Sequence, residues 1–226
     1  MSPTARPHPW LSVFAAHRRH RFAWLFASLL LTLAVGPTLD AEIPRYDPVQ
    51  VLLAVNLLAA LASVARAEQV RLWLLVLAAA FVVSHVVRAA LGIPGIVAVS
   101  EAFWLAAIAL ATQAALRHAF RPGVVNAEHV LAALDAYLLA GMLFGVTYWM
   151  IDQMWPGSFS GVGATLSRAE GIYFSFVTMA TLGYGDVVPV TGPARGLAMV
   201  EAVSGQMYLA VLVARLVSLY SRHAEG

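Results

Sequence analysis

The stretch TMATLGYGDVVP, Thr178–Pro189, places two glycines around a tyrosine and follows them with an aspartate. Glycine weakens helices and strands unless the backbone needs a positive φ or a close approach, so Gly183 and Gly185 predict an irregular, tightly shaped loop. Glycines in such a loop let consecutive backbone carbonyls turn toward one axis. Rings of carbonyls can replace the hydration shell of a cation. The chemistry that these residues predict is therefore cation coordination by the backbone.

The composition of the chain predicts a membrane protein. Of the 226 residues, 61% are hydrophobic and 12% are charged, and the mean hydropathy is +0.77, whereas a soluble domain carries about 25% charged residues. The formal charge of +2 is too small to suggest a nucleic-acid partner. Cysteine is absent from the sequence, which excludes a disulfide framework and a thiolate metal site.

Six apolar runs are long enough to cross a bilayer as helices, for which about 17 to 25 residues are needed. Segments rich in Gly, Pro or charge separate these runs. The predicted fold class is an all-α membrane protein with six transmembrane helices, at Phe22–Leu39, Val49–Ala65, Leu72–Leu91, Ile96–Leu116, Val130–Ile151 and Ala194–Tyr220.

The arginines predict the orientation of these helices. Arg18, Arg19 and Arg21 precede the first run, and Arg66 and Arg71 lie between the second and the third. Because basic residues concentrate on the cytoplasmic side, both termini are predicted to be cytoplasmic, which requires an even number of spans. The first run also resembles a signal peptide, but it is long and its removal would leave an odd number. We expect a multi-pass protein of a bacterial inner (plasma) membrane.

Between the last two runs lies a shorter apolar segment, AEGIYFSFVTMAT, Ala169–Thr181. It is too short to cross a bilayer and suits a re-entrant half-helix. Irregular backbone at membrane depth is stable only where it is buried in protein or lines a watery cavity. A half-helix followed by a glycine-rich loop, between the fifth and sixth helices, therefore predicts a pore element.

These features divide the chain into five parts. We expect a cytoplasmic N-terminal segment (1–21), a four-helix membrane domain (22–117), a cytoplasmic linker (118–129), a pore domain (130–220) and a short cytoplasmic tail (221–226). Within the linker, NAEH, Asn126–His129, is typical of a helix start.

The residues TLGYGD, Thr181–Asp186, resemble the selectivity filter of potassium channels, whose common form reads T-V-G-Y-G-D. The flanks agree, because YFSFVTMA resembles the pore helix of that family, Pro189 follows the filter, and Gly205 stands where the inner helix has its hinge glycine. Leu182 replaces the usual valine at a position that contributes a backbone carbonyl. Val177 replaces the pore-helix glutamate of some members. The resemblance covers the predicted pore domain and implies a potassium-selective ion channel, not an enzyme.

The resemblance also implies a role for each residue of the loop. Gly185 and Asp186 would support the filter, and the side chain of Tyr184 would pack on Tyr173 and Phe174. Potassium is the implied permeant ion, and no organic cofactor is implied. The implied potassium ligands are the Thr181 hydroxyl and the backbone carbonyls of Thr181, Leu182, Gly183 and Tyr184.

One filter segment cannot surround an ion, and the chain contains a single GYG. A complete pore needs four such segments, so the expected assembly is a homotetramer with cyclic symmetry in a lipid bilayer.

The six-span layout resembles voltage-gated channels, whose fourth helix carries arginine at every third position. Here the fourth run has no arginine before Arg117, and its one charge inside the membrane, Glu101, has the opposite sign. We therefore expect no conventional voltage sensing. Glu101 is predicted to pair with His85 and Arg88 across the GIPG turn, either as a structural ion pair or as a proton-sensitive switch.

Two polar residues of the last run are candidates for a role beside the filter. Glu201 lies about 12 Å into this run, so its charge should face protein rather than lipid. We expect it to bond pore-helix groups such as Thr178 or Ser175; a sharper hypothesis is that its ionisation sets the stability of the filter. Gln206 follows Gly205, at a position that lines the cavity in the family.

Two alternatives remain open. A weakly selective cation channel would most simply arise from a lost tyrosine or an altered glycine in the filter, and both are intact. A polytopic transporter or enzyme with a coincidental filter motif would need paired catalytic groups. Ser84 and His85 lie on the third run without a second aspartate or a glycine-flanked serine in mid-membrane.

Overall fold

The computed structural model describes residues 21–42, 48–64, 76, 79, 94–121 and 126–224. In this part of the chain six helices and two short strands are found. They are α1 (Arg21–Glu42), α2 (Pro48–Val64), α3 (Pro94–Ala119), α4 (Ala127–Met154), β1 (Phe159–Ser160), α5 (Arg168–Met179), β2 (Val188–Pro189) and α6 (Gly192–Ala224).

Five of the six predicted spans coincide with a helix to within a few residues, as α1, α2, α3, α4 and α6. The third, Leu72–Leu91, lies almost wholly outside the described residues. Within the described ranges, three helices are long and apolar enough to cross a membrane: α1, α4 and residues 192–218 of α6. These helices support a membrane protein, and the six-span layout stays a prediction.

The start of α4 follows from its N-cap residue. The side-chain oxygen of Asn126 accepts a hydrogen bond from the backbone N–H of His129 at 3.2 Å, which satisfies one of the amides that a helix start leaves unpaired. The helix start predicted from NAEH is thus confirmed. Because α4 already begins at Ala127, the linker is shorter than the predicted 118–129.

An apolar core joins α1, α2 and α3 to α4. Each helix contributes side chains that are at most 2% exposed, such as Leu25 of α1, Leu53 of α2, Trp104 of α3 and Met142 of α4. Within this core Asn56 of α2 donates to the Thr32 hydroxyl of α1 at 2.6 Å. The first three helices are therefore held on α4 mainly by non-directional apolar packing.

Glycines hold α5 against α4 almost backbone to backbone. A Cβ atom on Gly145 would lie 2.5 Å from the Cα of Ile172, and one on Gly171 would lie 2.6 Å from the Gly145 carbonyl oxygen. Real Cβ atoms do not approach this closely, so glycine is required for the observed distance between the two helices. This contact sets how deeply α5 lies in the bundle.

The two strands form a small antiparallel ribbon, in which Phe159 faces Pro189 and Ser160 faces Val188. It brings the loop after α4 next to the segment that follows TLGYGD. Gly161 is at φ +85°, and a Cβ there would meet the Asp186 carbonyl oxygen at 1.6 Å. Within the described residues the ribbon is the one addition to the predicted all-α class.

Candidate ion-coordination site

The loop that follows α5 is bonded to the last turn of that helix. The Thr181 amide donates to the Thr178 carbonyl at 3.0 Å, and the Leu182 amide donates to the Val177 carbonyl at 2.9 Å. The Gly183 amide also reaches the Val177 carbonyl, at 3.4 Å. The position of α5 therefore determines the position of the first three residues of TLGYGD.

Every second residue at the start of this loop has a positive φ: Thr181 at +58°, Gly183 at +55° and Gly185 at +78°. The two glycines agree with the sequence-based expectation of left-handed backbone. Thr181 was not expected to share it, because a β-branched residue with positive φ is an outlier that costs about 1–3 kcal/mol. Strain of this kind persists where the surroundings impose it, and it marks Thr181 as a functional candidate.

The side chains of the loop are exposed in the single chain. Leu182 is 56% exposed and Tyr184 is 66% exposed. Both line one apolar cavity of about 360 Å³, together with Tyr173 of α5. Phe174 does not join them, because its ring packs on Tyr148 and Phe159 at centroid distances of 4.9 and 5.4 Å. The predicted packing of Tyr184 on Phe174 is therefore not seen, and Phe174 instead supports α5 from the side of α4.

Asp186 ties the end of the loop to α5. Its carboxylate accepts a hydrogen bond from the Tyr173 hydroxyl at 2.6 Å and one from the Val187 amide at 3.0 Å. The Tyr173 hydrogen bond, with the backbone amide, holds the pKa of Asp186 below its ordinary value of 3.8. Because hydrogen bonds to the charged form favour ionisation, Asp186 places a negative charge beside the loop.

The segment that leads into α5 is fixed by Asp152, in the last turn of α4. This side chain is 1% exposed, and its two oxygens accept hydrogen bonds from the amides of Ser158 at 3.0 Å and Leu166 at 2.7 Å. The α5 helix then begins with a capping box between Ser167 and Glu170. Sequence reasoning missed Asp152, although a carboxylate at the end of an apolar span was a visible signal.

Glu201 of α6 joins three helices. The Tyr148 hydroxyl of α4 donates to it at 2.5 Å, and the Ser175 hydroxyl of α5 also contacts it. Ser175 further contacts the Gly141 carbonyl of α4 at 2.7 Å. Of the two partners predicted for Glu201, the structure thus brings Ser175 to it, and the carboxyl group is fully buried.

The two neighbouring predicted residues contact the C-terminal end of α5. The Gln206 side-chain amide donates to the Met179 carbonyl at 2.9 Å, one of the carbonyls that a helix end leaves unpaired. Gly205 lies against Met179, where a Cβ would make ordinary contacts at 3.5 to 3.6 Å. The α6 helix is continuous through Gly205, and the hinge role of this glycine stays a prediction.

Glu101 of α3 pairs with Arg168, the first residue of α5. Two hydrogen bonds of 2.9 and 2.7 Å join the guanidinium to the carboxylate, and both side chains are 2% exposed. Sequence reasoning missed this partner because 67 residues separate the two. His85 and Arg88 lie outside the described residues, so their part in the predicted cluster stays a prediction.

Sequence reasoning also passed over Asp135 of α4. It is fully buried, and among the described residues neither of its carboxylate oxygens has a hydrogen-bond partner.

The C-terminal part of the chain is similar in sequence to known ion channels. Residues 134–222 match a protein-family model described as an ion channel. The chain is 35% identical over 83 residues to two pore potassium channel c of Oryza sativa subsp. japonica and 32% identical over 94 residues to the inward rectifier potassium channel Kirbac3.1 of Paramagnetospirillum magnetotacticum. It is 37% identical over 89 residues to two-pore potassium channel 4 of Arabidopsis thaliana.

These matches cover 36%, 40% and 39% of this chain, but only 18%, 29% and 30% of the respective relatives. No solved structure matches the chain significantly. The matched part contains α5, the TLGYGD loop and most of α4 and α6. The comparisons therefore support a membrane ion channel of the potassium-channel kind.

Proposed function

We propose that the protein is a potassium-selective channel, in which the loops Thr181–Asp186 of four copies surround one pore. The observation that carries the proposal is the geometry of this loop, whose amides are bonded to the last turn of α5 and whose backbone has a positive φ at Thr181, Gly183 and Gly185. A loop anchored in this way can hold carbonyl oxygens at set positions as ligands that replace water around K+.

The electrostatics of α5 favour the same function. A helix carries roughly half a negative charge at its C-terminal end, and α5 ends at Met179, directly before the loop. Asp186 adds a charge at the other end of the loop. Partial and full negative charge on both sides of the proposed ligands favours a cation over an anion.

The exposed surface supports assembly into a homotetramer. An apolar stripe on α6 is more than half exposed in the single chain, as are Leu182 and Tyr184. Such a stripe suits contact with other copies and with lipid. Its members are Met199, Val200, Val203, Met207 and Val211.

The proposal includes a bacterial inner membrane as the location, six spans and both termini in the cytoplasm. The described α3 helix has basic residues only at its C-terminal end, Arg117 and His118. We therefore expect the open probability to depend only weakly on membrane potential, since few charges can move through the field.

The test uses the purified full chain in liposomes with a K+ or Na+ gradient. We expect flux of K+ and Rb+ to be far greater than that of Na+. We also expect block by Ba2+ and a mass in mild detergent of four chains of 24.2 kDa each. Gly183→Ala should abolish flux, because a Cβ is strained at φ +55°.

Two results would count against the proposal. Comparable Na+ and K+ flux through the wild type would favour the weakly selective cation channel. An assembly with fewer than four copies would leave the pore without enough loops.

A further inference from the structure

The Glu101–Arg168 pair joins the first part of the chain to the start of α5. It is buried and bidentate, and the guanidinium also lies over the Trp149 ring of α4 at 3.6 Å from its centroid. One side chain from each of α3, α4 and α5 thus meets at this point. A guanidinium held by two parallel bonds and an aromatic face has little freedom to rotate.

Arg168 does not stabilise the N-terminal end of α5, although it is the first residue of that helix. The N-terminal end of a helix carries partial positive charge, so a buried cation there is unfavourable. An apolar pair of similar volume could fill the same space without the desolvation of two charges. What the ion pair adds is direction, because its two parallel hydrogen bonds restrict the rotation of α5 about its own axis at its first residue, whereas the Gly145–Gly171 contact restricts only a distance.

The orientation of α5 determines where the loop Thr181–Asp186 lies. The helix has 12 residues and is about 18 Å long. Ser175 in its middle and Met179 at its end are bonded to neighbouring helices, and its last carbonyls hold the amides of Thr181, Leu182 and Gly183. A rotation of α5 at Arg168 would therefore displace the proposed ion ligands.

We propose that Glu101 is a positioning residue for ion selectivity, which acts through Arg168 to orient α5 and the loop that follows it. The N-terminal helices are then part of the selectivity machinery rather than a separate sensor. This inference rests on the proposed potassium-channel function and concerns the same site.

The test compares K+ and Na+ flux through the full-length chain in liposomes. The informative variant is the double substitution Glu101→Leu with Arg168→Met, which removes both charges of the pair together and so avoids a lone buried carboxylate or guanidinium in this pair. We expect it to assemble as the wild type does but to lose about tenfold or more of the K+/Na+ flux ratio, since the directional bonds are gone.

A conservative variant measures how much the two-bond geometry matters. Arg168→Lys keeps the charge but cannot form the parallel pair of bonds, so its flux ratio should lie between those of the wild type and the double variant. Glu128→Gln is the matched control, since it breaks another arginine–glutamate contact, with Arg21 at 3.9 Å, far from α5. Its flux ratio should stay within about twofold of the wild type, as expected for a long and partly exposed ion pair.

The outcomes separate the two proposals. If the wild-type protein shows no K+ selectivity, the proposed function itself is wrong. A selective wild type with an equally selective double variant overturns the positioning role, and leaves the pair as a structural contact. If the double variant fails to assemble, the Arg168→Lys variant is the test. A wild-type K+/Na+ flux ratio in Arg168→Lys would then also overturn the positioning role of Glu101.

Discussion

The two parts of the described chain are held together by different kinds of contact. Helices α1, α2 and α3 pack through apolar side chains, and the hydrogen bond between Asn56 and Thr32 is a polar exception. Helices α4, α5 and α6 are joined by polar side chains at several levels, including Glu201 with Tyr148 and Gln206 with the Met179 carbonyl. The family match begins at residue 134, within α4.

The two kinds of contact restrict the positions of the helices to different degrees. Apolar packing is non-directional and tolerates small shifts. Hydrogen bonds and backbone contacts restrict both distance and angle, and a set of ion ligands needs both. We therefore expect substitutions of the same chemical kind to have large effects in α4–α6 and small effects in α1–α3, with Glu101 as the exception.

The largest contrast is expected between two glycine-to-alanine substitutions. Gly145→Ala places a methyl group 2.5 Å from the Cα of Ile172, and overpacking against backbone costs about 1–3 kcal/mol or more. Gly36→Ala on α1 places it 3.6 Å from Val49, which should change stability by less than about 1 kcal/mol. Thermal unfolding in detergent measures both. Equal unfolding midpoints for the two variants would contradict the contrast.

A smaller contrast is expected between two buried polar residues that are each changed to leucine. Glu201→Leu removes the hydrogen-bond partner of the buried Tyr148 hydroxyl, which costs about 1–3 kcal/mol, whereas the Ser175 hydroxyl keeps the Gly141 carbonyl. Asn56→Leu costs less, because the Thr32 hydroxyl keeps its bond to the Ser28 carbonyl at 3.0 Å. The tetramer fraction at increasing temperature is the measurement.

Glu201→Gln sharpens this comparison. It keeps an oxygen and the side-chain shape, so we expect the tetramer to remain. If ionisation of Glu201 sets the stability of the filter, the pH dependence of flux should become flatter in this variant. A wild-type pH dependence in Glu201→Gln, together with wild-type assembly in Glu201→Leu, would remove both roles.

The smallest effect is expected at the exposed end of the loop, for Tyr173→Phe. The Tyr173 hydroxyl lowers the pKa of Asp186. A carboxyl group whose pKa is lower in the folded than in the unfolded state stabilises the folded state at pH values above the pKa of the unfolded state. This stabilisation is lost as the pH falls through the pKa of the folded state. Without the hydroxyl, acid inactivation of flux should begin at a higher pH. An unchanged acid limb of the flux profile would show that this bond does not matter.

Much of the candidate site follows from local pattern. The glycines of TLGYGD predict positive φ, which Gly183 and Gly185 have, and Asn126 predicts the start of α4. The partner of Glu101 could not be read in the same way, because Arg168 lies beyond α4 in the chain and no periodicity links the two. Phe174 was predicted to contact Tyr184, and in the single chain its ring instead packs on Tyr148 and Phe159.

The amino-acid sequence by itself was enough to predict the membrane class and five of the helix positions, and it also predicts cation coordination by the loop. These depend on hydrophobic run length, glycine content and capping residues, all of which act within a few residues of the chain. Only the tertiary structure decided that Asp152 fixes the approach to α5, that Glu101 pairs with Arg168, and that Thr181 is strained. Those facts depend on which side chains meet across helices, and a buried carboxylate accepts whichever donor the packing brings within about 3 Å.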